Sequence, residues 1–416
     1  MTAPERVAVL GGARTPFAKA GTHLKDYTAL QLGTHAVDGA LEKLDLDPEA
    51  VDQLAFGIVT VDARVPHLAR EVNFSSRLPA SVRSLTITDN CITSISAIES
   101  VYDAIVAGRA GVGIAGGVES LSNPSILWTR NATRVFSELR GARSLKDRAR
   151  ILSKLRPADF VPHAPGVNEP STGLSMGEHT EITVKEWGIS RAEQDEIAFR
   201  SHMNAAAATD DGRLTAEIHP MAGLTFDPII RPGTSMERLA ELAPVFDKST
   251  HGTLTAGNSS PLTDGASATL LMSESAAKAH GLSPLAYVKA IEFAAIHLDD
   301  GLLMGPGVAV PRLLRRVGLD LDDFDIIEMH EAFGGQVASN LAAWEHGWKE
   351  EPIGKVDRDK LNPLGGSIAI GHPFAATGSR IVNQLAHEME RRDARLGLVS
   401  ICGAGATAAA LILERS

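Results

Sequence analysis

Two cysteines and two histidines stand where extended segments meet turns or helices. They are Cys91 in "DNCITSISA", His330 in "MHEAFGGQ", His372 in "GGSIAIGHPFAATG" and Cys402 in "CGAGATAAALILE". A thiolate is a strong nucleophile and an imidazole is a base near neutral pH, so the set suits nucleophilic catalysis with acid–base assistance. Cys91 precedes a stripe of Ile95, Ile98, Tyr102 and Ile105, whose spacing of three and four predicts one apolar face of a helix. Asp89 or Asn90 is placed to cap its start and Gly108 to stop it. Cys91 then falls at or within the first turn, where free N–H groups and the helix dipole lower a thiol pKa. On position alone, a buried structural cysteine accounts for it as well. His372 lies between Gly366 and Gly378 and is followed by Pro373; glycine there lets backbone approach a ligand. Cys402 reads as part of a small-residue loop before a strand, and His330 as the end of the strand-like "FDIIE", where α/β proteins bind ligands. Singly, each histidine fits a surface or a satisfied core position; jointly, the four point to one site assembled from distant segments. Zinc is disfavoured by the absence of CxxC or HxxxH and by the long separations.

The elements that must hold these residues alternate in type. "RVAVLGGARTPF", "QLAFGIV", "SLTIT" and "GVGIAGGVES" read as strands, and "DYTALQLGTHAVDGALEKLDL" as an amphipathic helix. This pattern predicts an α/β layer fold with a largely buried sheet. Residues 124–248 read as an inserted, mostly helical and looped region, with "RAEQDEIAFRSHMNAAAA" its clearest helix. Strand character returns at "GTLTAGNSS" and "SATLLMSE". "LAYVKAIEFAAI", "FDIIEMHEAF" and "LGLVSICGAGATAAALILER" then repeat the style of the first 120 residues around the helix "ATGSRIVNQLAHEMERR". The expected organisation is 1–123 completed by 249–275, the insert 124–248, and a second half 276–416.

A net charge of −11 over 416 residues argues against general nucleic-acid binding. Two cysteines, no leader-like start and no long apolar run read as a cytoplasmic protein without a disulfide framework. Within the insert, nine Lys or Arg stand against Glu138 and Asp147 between residues 130 and 156. Val135, Leu139, Leu145, Ile151, Leu152 and Leu155 give this basic stretch an apolar component, predicting one or two amphipathic helices. A solvated helical hairpin, attraction to phosphates, docking of an acidic partner and peripheral contact with anionic lipid all fit such a stretch.

Together, "DNCITSISA", "LTAGNSSPLTDGA", "MHEAF", "GGSIAIGHPFAATG" and "CGAGATAAALILE" resemble, in order and spacing, the thiolases, over nearly the whole chain. The "HEAF" form and "KLRPADFVPHAPGVNEPSTGLSMGE" resemble the β-subunits of fatty-acid β-oxidation complexes and their bacterial relatives. The resemblance implies a five-layered αβαβα fold of two similar halves with an inserted loop domain. It implies thiolysis of 3-ketoacyl-CoA by CoA, with coenzyme A as substrate and no other cofactor. Cys91 is then the nucleophile, His372 its activator and an oxyanion donor, and Cys402 the acid/base for enolate and CoA. His330 would hold a water in the first oxyanion hole; the backbone N–H groups of Cys91 and Ala404 would form the second. Met176, Arg231, Phe246, Ala256, Ser260, Leu262, Ala332 and Phe333 match CoA-binding positions, whereas Arg238 departs from the small residue common there. A homodimer or tetramer and a hydratase/3-hydroxyacyl-CoA dehydrogenase partner subunit are also implied, as is use of the basic loop near membranes. An acetoacetyl-CoA-type biosynthetic thiolase and a non-catalytic acyl-CoA-binding or assembly subunit are the alternatives. A β-ketoacyl synthase, which lacks a second catalytic cysteine, is disfavoured by Cys402.

Overall fold

Val7–Arg14 is buried along its whole length and has antiparallel strands on both edges, which is why it reads as a continuous apolar run. In the computed structural model, which describes residues 5–161, 166 and 168–415, this strand is β1. The first half continues through β2 (Ala18–Lys19), α1 (Ala29–Lys43), β3 (Gln53–Gly57), α2 (Leu68–Ser75), β4 (Arg83–Ile87), α3 (Thr93–Val106) and β5 (Val112–Glu119). Then come α4 (Arg130–Arg140), α5 (Leu145–Leu152), α6 (Met176–Glu186), α7 (Arg191–Asp210) and α8 (Met236–Ala240). β6 (Thr263–Ser273) and α9 (Glu274–Ala279) close the half. The second half holds β7 (Ala286–Ala295), α10 (Pro306–Val317), β8 (Ile326–Met329), α11 (Gly334–His346), α12 (Ser367–Ile370), α13 (Thr377–Arg392), β9 (Leu396–Gly403) and β10 (Thr407–Glu414).

The strand order is β4-β3-β5-β6-β1-β7-β10-β9-β8, with β2 on β6. Within the sheet, β1 and β7 join the halves through Ala8↔Tyr287 and Val9↔Ala286, and outside it Ser259↔Phe333 and Leu262↔His372 are isolated bridges between them. Outward from that seam each half runs first strand, last strand, penultimate strand, so the second repeats the plan of the first. Alternation along β9 shows the layering: Val399 and Ile401 enter one apolar cluster with α3 and α13, while Leu396 and Leu398 enter another with α10 and α11. The cluster around α3 and α13 also takes Ala55 and Ala115 from the first half, so these helices form the middle layer. α1 and α2 cover the far face of the first half, giving five layers, α-β-α-β-α.

The helices start where the sequence signals them. Thr28 with Gln31, and Ser190 with Glu193, form reciprocal capping boxes on α1 and α7. Gly108, at φ +67°, follows α3 as expected. "GTLTAGNSS" forms no strand. The N–H groups of Thr253 and Leu254 donate to the Glu181 carboxylate, and that of Thr255 to Asn258, so side chains replace a neighbouring strand.

Compactness divides the chain differently from the expected insert at 124–248. One unit comprises 1–59, 67–123 and 168–416; the other comprises 60–66 and 124–167. The reason lies in α6 and α7, which pack on α11 and α12 and bury Val184, Ile197, Ala198 and Ala205 there. In the smaller unit, α4 and α5 pair, with Ala132, Val135 and Ile151 inside. Asp159 accepts from Thr129 and Asn131, and Lys154 pairs with Glu138 at 2.5 Å. Leu145 and Phe160 remain exposed. Residues 162–165 and 167 of the sequence motif "FVPHAPGVNEP" lie outside the described residues. Among the described residues no helix is long and apolar enough to cross a membrane.

Candidate active site

Cys91 sits in a single 3-10 turn, Asn90–Ile92, between β4 and α3. The expected side-chain cap by Asp89 or Asn90 is absent. Thr93 does the work instead: its hydroxyl accepts from the Asp89 N–H at 2.8 Å and donates to the Asn90 carbonyl at 2.6 Å. Asp89 is occupied by the Ser96 hydroxyl, and Asn90 takes a left-handed φ of +46°. The Asn90 amide crosses to the Ala404 carbonyl at 2.8 Å, and the next N–H, of Gly405, donates to the Glu169 carboxylate at 3.0 Å. One peptide unit of the 403–406 turn is thus held at both ends. The backbone N–H groups of Ala404 and of Cys91 itself lower the Cys91 thiol pKa. These are the two donors expected for an oxyanion hole.

The electrostatics correct the expected low thiol pKa. Burial pushes Cys91 up to about 12, outweighing the two N–H groups, and the nearby Glu119 charge adds to the rise. A helix start lowers a pKa only while solvent shares the charge; here desolvation wins. His372 follows Gly371, at φ +110°, and its N–H donates to Thr263 Oγ1 at 3.0 Å. Its Nδ1 meets Thr377 Oγ1 at 2.7 Å and its Nε2 meets Cys91 Sγ at 3.2 Å. Burial, then Arg380, bring His372 down to about 3. The resting pair is therefore neutral thiol and neutral imidazole.

His330 directly follows β8, with its N–H donating to the Ser400 carbonyl at 2.8 Å. Its ring lies 4.1 Å from that of His372, its Nδ1 contacts Ser367 Oγ at 2.8 Å, and its buried Nε2 has no partner among the described residues. A buried polar nitrogen without a protein partner marks a place for water or ligand. Cys402 lies within β9, not in a loop, because pairing with β10 continues to Gly403↔Thr407. It is enclosed with Leu254, Leu303, Ala332 and Phe333, and burial followed by the Cys91 charge pushes it well above the ordinary thiol range. Gly366 and Gly378 serve packing rather than ligand approach. A Cβ at Gly366 would stand 2.2 Å from the Glu331 carboxyl carbon, and one at Gly378 would stand 2.8 Å from Ser94 Oγ.

Beside this centre is a cavity of about 570 Å³. Arg231, Phe246, Ala256, Ser260 and Leu262 line it, together with Lys19, His23 and His202, which sequence reasoning missed. Of its lining residues, Leu262 pairs with His372 in an isolated β-bridge. Met176, Ala332 and Phe333 do not line the cavity; they belong to the apolar cluster of Cys402, where Phe246 meets Phe333 edge-on at 5.7 Å. Arg238 is exposed, absent from the cavity wall, and donates to the Gly233 carbonyl at 2.7 Å. Glu169, Thr377, Ser367 and Arg380 also escaped the sequence reading, and Asn90 was read only as a helix cap. Their only signal was lying within or beside the quoted motifs.

Ligand atoms of Cys91, His330 and His372 all lie within 4.8 Å of one another. The fold joins what the sequence separates, so spacing is no argument against a metal here. What decides is which imidazole nitrogens carry protons.

Residues 7–275 match the family described as "Thiolase, N-terminal domain" and residues 282–415 match "Thiolase, C-terminal domain". A 3-ketoacyl-CoA thiolase of Pseudoalteromonas translucida is 43% identical over 99% of this chain and 97% of its own length. One from Aeromonas salmonicida is 42% identical with the same coverage. Human mitochondrial 3-ketoacyl-CoA thiolase in complex with CoA superposes with a TM-score of 0.85 at 30% identity, covering 99% of this chain and 98% of that one. A Bacillus anthracis acetyl-CoA acetyltransferase gives 0.84 at 29% identity, over all of both chains.

Proposed function

The chain belongs to the thiolase family, and on that premise we propose that it is a 3-ketoacyl-CoA thiolase of fatty-acid β-oxidation, working through an acyl-Cys91 intermediate. The single observation that carries the mechanism is the 3.2 Å contact between His372 Nε2 and Cys91 Sγ, made where two backbone N–H groups converge.

In this reading, His372 takes the Cys91 proton as Sγ attacks the 3-keto carbon. A neutral resting pair suits this, because charge separates only when the oxyanion appears to receive it. The C2–C3 bond then breaks. Its electrons form the acetyl-CoA enolate, whose C2 takes the proton of Cys402, leaving acyl-Cys91 and acetyl-CoA. Incoming CoA gives its thiol proton to Cys402 and its sulfur attacks the thioester carbon; the adduct collapses to the shortened acyl-CoA and expels Cys91 Sγ, which takes its proton back from His372. The N–H groups of Cys91 and Ala404 stabilise one oxyanion; the imidazolium of His372 and a water on His330 stabilise the other. CoA occupies the cavity of Arg231, Phe246, Ala256, Ser260 and Leu262, while Met176, Ala332 and Phe333 shape the acyl end around Cys402. Relatives named 3-ketoacyl-CoA thiolase at 41–43% identity support the degradative reading over the biosynthetic one.

The test is thiolysis of 3-ketoacyl-CoAs of increasing length, with mass spectrometry of the enzyme quenched without CoA. The expected result is acyl on Cys91 and acetyl-CoA released; acyl on Cys402 overturns the assignment. A homodimer or tetramer, and pairing with a hydratase/3-hydroxyacyl-CoA dehydrogenase subunit, belong to the same proposal. A native-cell pull-down yielding only the homo-oligomer counts against the partner. The paired helices α4 and α5, basic and carrying exposed Leu145, are proposed to meet an anionic surface. Reversing Arg143, Arg148 and Arg150 should weaken anionic-vesicle or partner binding in a salt-sensitive way. Unchanged binding with a raised KM for CoA assigns the patch to substrate capture instead.

A further inference from the structure

The two adjacent imidazoles are wired differently. His330 Nδ1 lies 2.8 Å from Ser367 Oγ, and Arg380 Nη2 donates to that same oxygen at 2.9 Å. His330, Ser367 and Arg380 are 0, 0 and 1% exposed, so water does not rearrange these bonds. A guanidinium only donates, whereas a hydroxyl has one proton to give. With Arg380 on one lone pair, and no other acceptor bonded to Ser367 Oγ among the described residues, that proton goes to His330 Nδ1. A neutral imidazole that accepts at Nδ1 carries its hydrogen on Nε2. The Arg380 charge also opposes a second proton on His330, after burial and His372. His372 lacks such backing. Its Nδ1 meets Thr377, whose hydroxyl has the Pro373 carbonyl at 3.5 Å as an outlet for its own proton. Nδ1–H of His372 then donates to Thr377, leaving Nε2 free to accept from the Cys91 thiol.

We propose that Arg380 and Ser367 are positioning residues that lock His330 in its Nε2–H tautomer, so that it always presents a hydrogen-bond donor beside Cys91 and His372. The proposal rests on the thiolase reading only for the identity of what receives that bond: a water or the oxyanion of a thioester. It also settles the use of the Cys91–His330–His372 cluster. A divalent cation needs the Nε2 lone pair, whereas an oxyanion needs the Nε2 hydrogen.

The direct test is NMR of the full-length protein labelled with ¹⁵N-histidine, assigning His330 by the signals missing in His330→Asn. At neutral pH the expected His330 pattern is a protonated Nε2 and a bare Nδ1; a protonated Nδ1 overturns the proposal. Ser367→Ala should lower thiolysis kcat roughly 10- to 100-fold, the cost of removing a partner that orients an imidazole. The KM for CoA should stay within about twofold, because binding contacts are intact. An unchanged kcat overturns the proposal. In a His330→Ala background, Ser367→Ala should cost nothing more; a full additional loss shows that Ser367 acts elsewhere and overturns it. Stoichiometric Zn²⁺ binding in equilibrium dialysis that His330→Asn abolishes would also overturn it. Should Ser367→Ala fail to fold, the wild-type spectrum decides alone. A wild-type protein inactive on every 3-ketoacyl-CoA overturns the thiolase reading while the tautomer result stands.

Discussion

The surroundings of the two thiols, one in each half of the chain, differ in kind. Cys91 is half-buried at a strand-to-helix junction, touching an imidazole and two backbone N–H groups. Cys402 is 1% exposed inside a β-strand, among leucines, alanines and Phe333. Burial raises the pKa of both. A nucleophile must become negative, so Cys91 needs a base to take its proton and dipoles for the charge that follows. A thiol that protonates an enolate must hold its proton until a far stronger base arrives, and apolar walls do that without any partner. In the proposed mechanism, the protein obtains two functions from one side-chain type through what surrounds each.

Removing the thiols in turn tests that contrast most severely. Cys91→Ala should lower thiolysis by on the order of 10⁴-fold or more and abolish acyl labelling. Cys402→Ala should lower thiolysis by roughly 10²–10⁴-fold, the range for general acid–base groups, yet keep acylation by a simple acyl-CoA. Rapid-quench mass spectrometry separates the two, and a lost acylation step in Cys402→Ala would merge their roles. His372→Ala comes next. It takes both the base and an oxyanion donor from Cys91, so kcat should fall at least about 10²-fold, with acylation slowed alongside. Acylation at the wild-type rate would leave Cys91 without the base assigned to it.

Iodoacetamide sharpens the contrast without mutation. Exposure predicts alkylation of Cys91 at least about 10-fold faster than Cys402 in the folded protein. Equal rates, read by peptide mapping, would show that the apolar enclosure of Cys402 opens in solution. The smallest effect is on stability. Both thiols hold their protons more tightly folded than unfolded, so above the unfolded thiol pKa of about 8.5 the unfolded chain ionises first. The contribution of Cys91 is therefore intact below that pH and declines as pH climbs towards its folded value of about 12. The urea midpoint should drop less between pH 8.5 and 10 in Cys402→Ala than in wild type. Parallel curves would mean that Cys402 titrates alike in both states.

Much of this was legible because it is local. The stripe Ile95, Ile98, Tyr102 and Ile105 and the stop at Gly108 act within one or two helical turns, and each does in the structure what its spacing implies. Cys91, His330 and His372 were visible as polar residues at element junctions, where secondary structure gives them little to do; Cys402 was read the same way but lies within β9. What misled was also local. "GTLTAGNSS" has strand composition, but the Glu181 carboxylate takes its N–H groups. The alternation before Cys402 runs into the turn, so the strand's last residues looked like loop. Helical and looped sequence from 124 to 248 looked like one insert, although α6 and α7 bury their apolar faces on the second half.

The sequence by itself determined the alternation of strands and helices, the two similar halves and the residue types at the reactive centre, because short-range periodicity and side-chain chemistry are written residue by residue. Only the tertiary structure decided how that centre behaves. Cys91 meets His372 across 281 residues of chain, and Asn90 meets Ala404 across 314. Whether a thiol at a helix start is ionised depends on how much water the whole fold removes from it; here that removal outweighs the N–H groups of the turn. Whether His330 accepts or donates depends on a guanidinium one hydroxyl away, from a different helix. Desolvation and hydrogen-bond direction are sums over neighbours in space, and a chain has those neighbours only once it has folded.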